Sequence, residues 1–186
     1  MISAGELKRG TTIDLDGALW NIVGYQHVKV GRGGAVLRLK LRNLKTGSNV
    51  ERTFPASEKF KRVYLDHVKA QLQYRDDDTF NFMDTETFEQ LTLNAEQIGD
   101  DVNYLTENLV VDMLKYEDRP IGIELPPSVE LRITETEPGF RGDTASGGGK
   151  PAVVQTGLKI QVPFFVNNGD LIKVDTRTGQ YLERAN

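Results

Sequence analysis

The sequence predicts an all-β protein of three small β-barrel domains, at residues 1–64, 65–127 and 128–186. Three observations carry this expectation. Short apolar runs with strand alternation recur along the whole chain, each closed by turn residues. Long helical periodicity is almost absent. Charge also changes in blocks: residues 1–64 hold 12 Lys and Arg against 5 Asp and Glu (+7), residues 65–127 hold 4 against 15 (−11), and residues 128–186 hold 7 against 7. The stiff pair Pro126-Pro127 cannot donate backbone hydrogen bonds and makes a natural boundary. At 186 residues the chain is long enough for two or three small domains.

In the first block, Ile13 to Gly17 gives a short strand and an Asp-Gly turn, and a strand follows from Ala18 to Tyr25. The stretch His27 to Ala35 then reads as the glycine-rich tip of a β-hairpin with Arg32 at its summit. Gly31, Gly33 and Gly34 admit positive φ and remove bulk around that arginine, with Lys29 just before it. Such a tip can carry a cation into a crevice; an ordinary hairpin turn with a solvated arginine also fits. On the return strand Leu37, Leu39 and Leu41 alternate with Arg38, Lys40 and Arg42. The leucines belong in the core, which leaves the cations in a row outside. That row suits RNA phosphates and serves equally as a solubilising face. Lys45-Thr46-Gly47 makes the next turn, Val50 to Phe54 a strand, and Ser57 to Phe60 a single capped helical turn.

The second block begins with a strand to Tyr74 and a solvated turn at Asp76-Asp77-Asp78, whose spacing is not that of a calcium loop. Strands are expected at Phe80 to Met83, Phe88 to Leu93, Val102 to Leu105, Leu109 to Tyr116 and Ile121 to Leu125. Asn94-Ala95-Glu96-Gln97 resembles a capping box, so a short helix starts there. The third block predicts strands at Val129 to Thr136, Ala152 to Thr156, Leu158 to Val166, Leu171 to Asp175 and Gln180 to Leu182. A long polar loop, Pro138 to Lys150, interrupts them. Five short strands at regular spacing fit barrels of the oligonucleotide-binding type.

Catalytic and metal motifs are missing. The two histidines, His27 and His67, have no metal-ligand spacing, and no GxSxG elbow, Walker loop or dinucleotide fingerprint occurs. The sequence therefore predicts no enzyme, no metal and no cofactor. It has no cysteine, no secretory signature at its start and no apolar run of membrane-spanning length, so the expectation is a cytoplasmic protein without membrane contact, and the lack of an obvious apolar surface stripe predicts a monomer. A basic first third beside an acidic second third points to nucleic-acid contact at one end. A generic single-stranded nucleic-acid binder fits less well, because the oligonucleotide-binding-type blocks carry −11 and 0.

Two stretches bring a family into view. One is Lys29 to Ala35 followed by Leu39 to Gly47. The other is Lys150-Pro151-Ala152, Gly157, then Ile160 to Gly169. The second resembles the signature of bacterial translation elongation factor P at every fixed position, and Gly142-Asp143-Thr144 and Lys173 to Gly179 are similar to the same family. The resemblance implies an SH3-like barrel followed by two OB-folds in an elongated, tRNA-like arrangement. It implies a factor that binds both ribosomal subunits between the peptidyl-tRNA and exit sites. There it would position peptidyl-tRNA with the hairpin tip and relieve stalling at consecutive prolines. The tip position often holds a lysine lengthened by modification; here it holds Arg32, and an enzyme acting on Arg32 is an implied partner. Some members carry a rhamnosylated arginine there, in a context other than Gly33-Gly34. The resemblance also implies small-subunit contacts near the exit site from Arg141, Gly142, Asp143 and Thr144, with Tyr181 and Arg184 adding stacking and a phosphate contact.

Overall fold

The computed structural model describes residues 1–31, 33–139 and 148–185. Arg32, Arg141, Gly142, Asp143 and Thr144, all expected contact residues, lie outside the described residues. The first sheet comprises β1 (Ile2–Ser3), β2 (Thr12–Leu15), β3 (Ala18–Val30), β4 (Gly34–Asn43), β5 (Asn49–Pro55) and β6 (Lys59–Val63), in the order β1-β6-β2-β3-β4-β5. Alternation on β4 sets its core: Leu37, Leu39 and Leu41 are each 0% exposed, and they pack with Ile13, Trp20, Ile22 and Phe60. Each such side chain contributes about 1.5–3 kcal/mol when fully buried.

Two local features shape this sheet. Ser57 to Phe60 is not a helical turn as expected: Glu58 N–H donates to the Pro55 carbonyl at 3.0 Å, and β6 begins at Lys59. Phe60 is needed in the core, edge-to-face with Phe54 at 5.1 Å, and an extended backbone puts it there. The second feature is a bulge in β3 between Ile22 and Gly24. Ile22 faces Leu41 across the ladder, yet Tyr25 faces Leu39, so the alternation slips by one residue at Val23.

The middle sheet comprises β7 (Asp66–Asp76), β8 (Thr79–Asp84), β9 (Gln90–Asn94), β10 (Val110–Tyr116) and β11 (Arg119–Glu124), in the order β11-β10-β7-β8-β9. The three-aspartate stretch is a hairpin turn, with Asp76 opposite Thr79 and Asp77 at φ +49°. Helix α1 (Ala95–Ile98) follows, capped by Asn94, whose side chain accepts from Gln97 N–H at 2.8 Å. Two strand expectations fail here. Phe88 lies in a turn at φ +62°, 71% exposed, because Asp84 captures the backbone N–H groups of Glu86 and Thr87 and strand pairing resumes only at Gln90. Residues 102–105 begin within a 3-10 helix, Gly99–Tyr104, that continues from α1.

The third sheet comprises β12 (Ser128–Thr136), β13 (Lys150–Val154), β14 (Lys159–Val162), β15 (Leu171–Asp175) and β16 (Tyr181–Arg184), in the order β14-β13-β12-β15-β16. Its core is aliphatic: Leu131, Ile133, Val154, Val162, Ile172 and Val174 are buried together. The expected strand to Val166 ends at Val162, because Pro163 cannot donate to a ladder and its carbonyl accepts a turn bond from Val166 N–H at 3.1 Å. Contacts divide the chain into two compact units. One contains Met1–Val68, Thr92–Gly99 and Met113–Ile123; the other contains Lys69–Leu91, Asp100–Asp112 and Glu124–Asn186.

Candidate nucleic-acid interface

The β3–β4 ladder runs unbroken apart from the bulge, from Trp20 opposite Asn43 to Val30 opposite Gly34. Strand pairing thus continues to the edge of the tip, where the sequence had suggested a glycine-rich loop from His27 onward. At Gly34 the backbone takes φ +83°, a conformation strained for any residue with a Cβ, whereas Gly31 does not take positive φ. Lys29, Gly31, Gly33 and Gly34 are all exposed.

The cation row lies on the outer face, as the alternation requires, but its three members have different surroundings. Arg38 is opposite Gln26 and Thr53, and its Nε lies 3.4 Å from the Glu51 carboxylate, with both side chains about half exposed. Lys40 is opposite Gly24 and Glu51. Its alkyl stem lies along Gly24, with carbons 3.5 Å from where a Cβ would stand, and its ammonium forms no ion pair among the described residues. Arg42 is half-buried: a guanidinium nitrogen comes within 2.9 Å of the Cβ position at Gly99, just past α1. It is therefore held against residue 99 rather than standing free beside Lys40.

Glu51 is the residue sequence reasoning missed; its effect on the row is visible only once β5 is in register with β4. Arg52 was also overlooked. It sits opposite Leu39 on the core side of β5, and its guanidinium lies 5.4 Å over the Trp20 ring and 3.7 Å from Asp16. In the other unit, Tyr181 packs half-buried against the third core, and Arg184 lies 3.4 Å from the Asp170 carboxylate. The pKa of Asp175 is lowered from its ordinary value, because the backbone N–H groups of Arg177 and then Thr178 donate to its carboxylate. Burial, helped by Asp101, Asp175 and Asp100, pushes the Tyr104 phenol up. Among the described residues no group of three or more metal-ligating side chains comes together. No helix among them is long and apolar enough to cross a membrane.

Fold and site together define an all-β protein of small barrels, the first carrying a long hairpin and a cationic outer face. Residues 3–60 match the family model described as Elongation factor P (EF-P) KOW-like domain, residues 65–123 the Elongation factor P (EF-P) OB domain, and residues 129–184 Elongation factor P, C-terminal. The chain is 51% identical to the elongation factor P of Moorella thermoacetica and 50% identical to that of Acetivibrio thermocellus, each over 185 residues and 100% of both chains. A solved structure of translation initiation factor 5A from Methanococcus jannaschii is similar over 67% of this chain and 93% of that one, at 25% identity and a TM-score of 0.48. The class is that of a translation elongation factor built from an SH3-like barrel and two OB-folds. The chain belongs to the elongation factor P family.

Proposed function

We propose that this protein binds the ribosome between the peptidyl-tRNA and exit sites and speeds peptide-bond formation at consecutive prolines. In this reading the domains are 1–64, 65–127 and 128–186, and the first carries the active element. Arg32 at the hairpin tip contacts peptidyl-tRNA near the peptidyl-transferase centre and is the position open to a modifying enzyme. A guanidinium is always charged and its planar fork holds a phosphate or stacks on a base. Arg38 and Lys40 contact RNA phosphates, and Arg42 contributes a phosphate contact from its place beside Gly99. Arg141, Gly142, Asp143, Thr144, Tyr181 and Arg184 meet the small subunit near the exit site. The protein acts as a cytoplasmic monomer, without metal or cofactor, and is not itself an enzyme.

The observation that supports this most is the ladder of β3 and β4. Cross-strand pairing up to Val30 and Gly34 carries a two-stranded stem to the base of the tip. Proline reacts slowly because its ring is rigid and its amine secondary. Orienting the peptidyl-tRNA lowers the barrier through entropy, a term worth up to about 7–11 kcal/mol in well-oriented systems. The protein donates no proton and forms no covalent bond; the chemistry stays with the ribosome. The test is Pro-Pro synthesis on purified ribosomes at saturating factor. Arg32→Ala is expected to keep most ribosome affinity and to lose the acceleration, and full activity in that variant would overturn the reading.

A further inference from the structure

The bulge at Val23 has a second effect. By moving the alternation of β3 by one residue, it places Tyr25, His27 and Lys29 on the side of the hairpin that carries Leu39 and Leu37, opposite the face of Arg38 and Lys40. Those leucines are fully buried, yet Tyr25 opposite Leu39 is 48% exposed, and His27 opposite Leu37 is exposed too. The two rings meet edge to face, with centroids 6.2 Å apart and planes at 83°. The rings thus touch edge to face while both side chains stay exposed. Lys29 continues the line toward the tip, and Ala35 is its cross-strand partner. From Tyr25 to Lys29 on β3, and from Ala35 to Leu39 on β4, this side bears no carboxylate.

We propose that Tyr25 and His27 form a stacking platform for one unpaired RNA base, with Lys29 beside it for the adjoining phosphate. The ribbon then has two working faces: Arg38 and Lys40 hold backbone phosphate on one, and Tyr25 and His27 hold a base on the other. Stacking of bases on exposed aromatic rings next to cations is how proteins grip single-stranded RNA without reading its sequence. The proposal rests on the reading that this hairpin meets RNA.

The test uses the full chain and purified ribosomes carrying peptidyl-tRNA, with affinity measured across a salt series. Tyr25→Leu is expected to weaken binding about ten-fold, within the range reported for loss of one base stack, and to leave the salt slope unchanged because no phosphate contact is lost. Tyr25→Phe keeps the ring and is expected to stay within about two-fold of the parent. Thermal unfolding is followed alongside; should Tyr25→Leu unfold the barrel, His27→Leu carries the same expectation. Quenching of a short single-stranded RNA containing 2-aminopurine gives a direct stacking signal, expected for the parent and Tyr25→Phe and lost in Tyr25→Leu. If Tyr25→Leu and His27→Leu bind like the parent while Arg38→Ala with Lys40→Ala flattens the salt slope, the stacking proposal is overturned and the hairpin reading stands. If none of these variants changes binding, the hairpin reading itself fails.

Discussion

Glu51 offers the sharpest test of the cation row, because its removal should strengthen binding. Its carboxylate lies 3.4 Å from Arg38 Nε, and it stands opposite Lys40 in the β4–β5 register. It thus competes with phosphate for the two most exposed members of the row. Glu51→Gln preserves the shape and removes the charge. An ion pair between half-exposed groups contributes about 0–1 kcal/mol, so the fold should hardly notice. Binding should respond more. Each phosphate newly engaged adds about 0.7–0.9 to the magnitude of the salt slope. Freeing one cation therefore predicts a steeper slope by that amount and, if the two lines meet at 1 M salt, an affinity about five- to eight-fold above the parent's at 0.1 M. The assay is equilibrium binding to purified ribosomes from low to high potassium chloride at fixed magnesium. Arg38→Ala with Lys40→Ala serves as the opposite control, flattening the slope by about 0.7–0.9 for the one phosphate the pair holds while Glu51 occupies the other cation. A Glu51→Gln protein with unchanged or shallower slope would refute the argument that this face holds phosphate.

Other expectations concern the scaffold. Leu39→Ala removes a fully buried side chain of the first core and should cost about 2–5 kcal/mol in chemical denaturation. Gly149→Ala should destabilise the third barrel, since its Cβ would stand 2.2 Å from the Val162 carbonyl oxygen. Gly5→Ala, with nothing within 4 Å of the new methyl, should stay within about 0.5 kcal/mol in the same denaturation series. Asp175 has a folded pKa below its unfolded value, so its contribution is present above the ordinary aspartate range and disappears as pH falls through the folded pKa. Unfolding temperatures measured across acid pH should therefore fall less steeply for Asp175→Asn than for the parent.

What could be read directly from the chain was whatever a few neighbouring residues decide among themselves. The alternation of Leu37, Leu39 and Leu41 with Arg38, Lys40 and Arg42 marks both a core face and an outer face, because successive side chains of a strand point opposite ways. Asn94 and Gln97 announce their helix start, and Asp76 to Asp78 their turn, for the same local reason. The all-β class, the hairpin and the exposure of Arg38 and Lys40 followed from such signals, and the signature stretches pointed to the family. Tertiary structure decided the rest. The bulge at Val23, which turns Tyr25 and His27 onto the leucine side, exists only in the pairing of β3 with β4. The placement of Glu51 beside Arg38 depends on the register of β5, and that of Arg42 beside Gly99 on a contact between residues 57 positions apart in the sequence. Phe88 and residues 102–105 have strand-like composition, but Phe88 N–H donates to the Asp84 carbonyl in the turn that the Asp84 side chain closes, and the continuation of α1 takes up residues 102–104. Strand propensity describes how well a residue suits a pleated surface; which partner pairs with it, and in what register, is settled by segments far away in the chain.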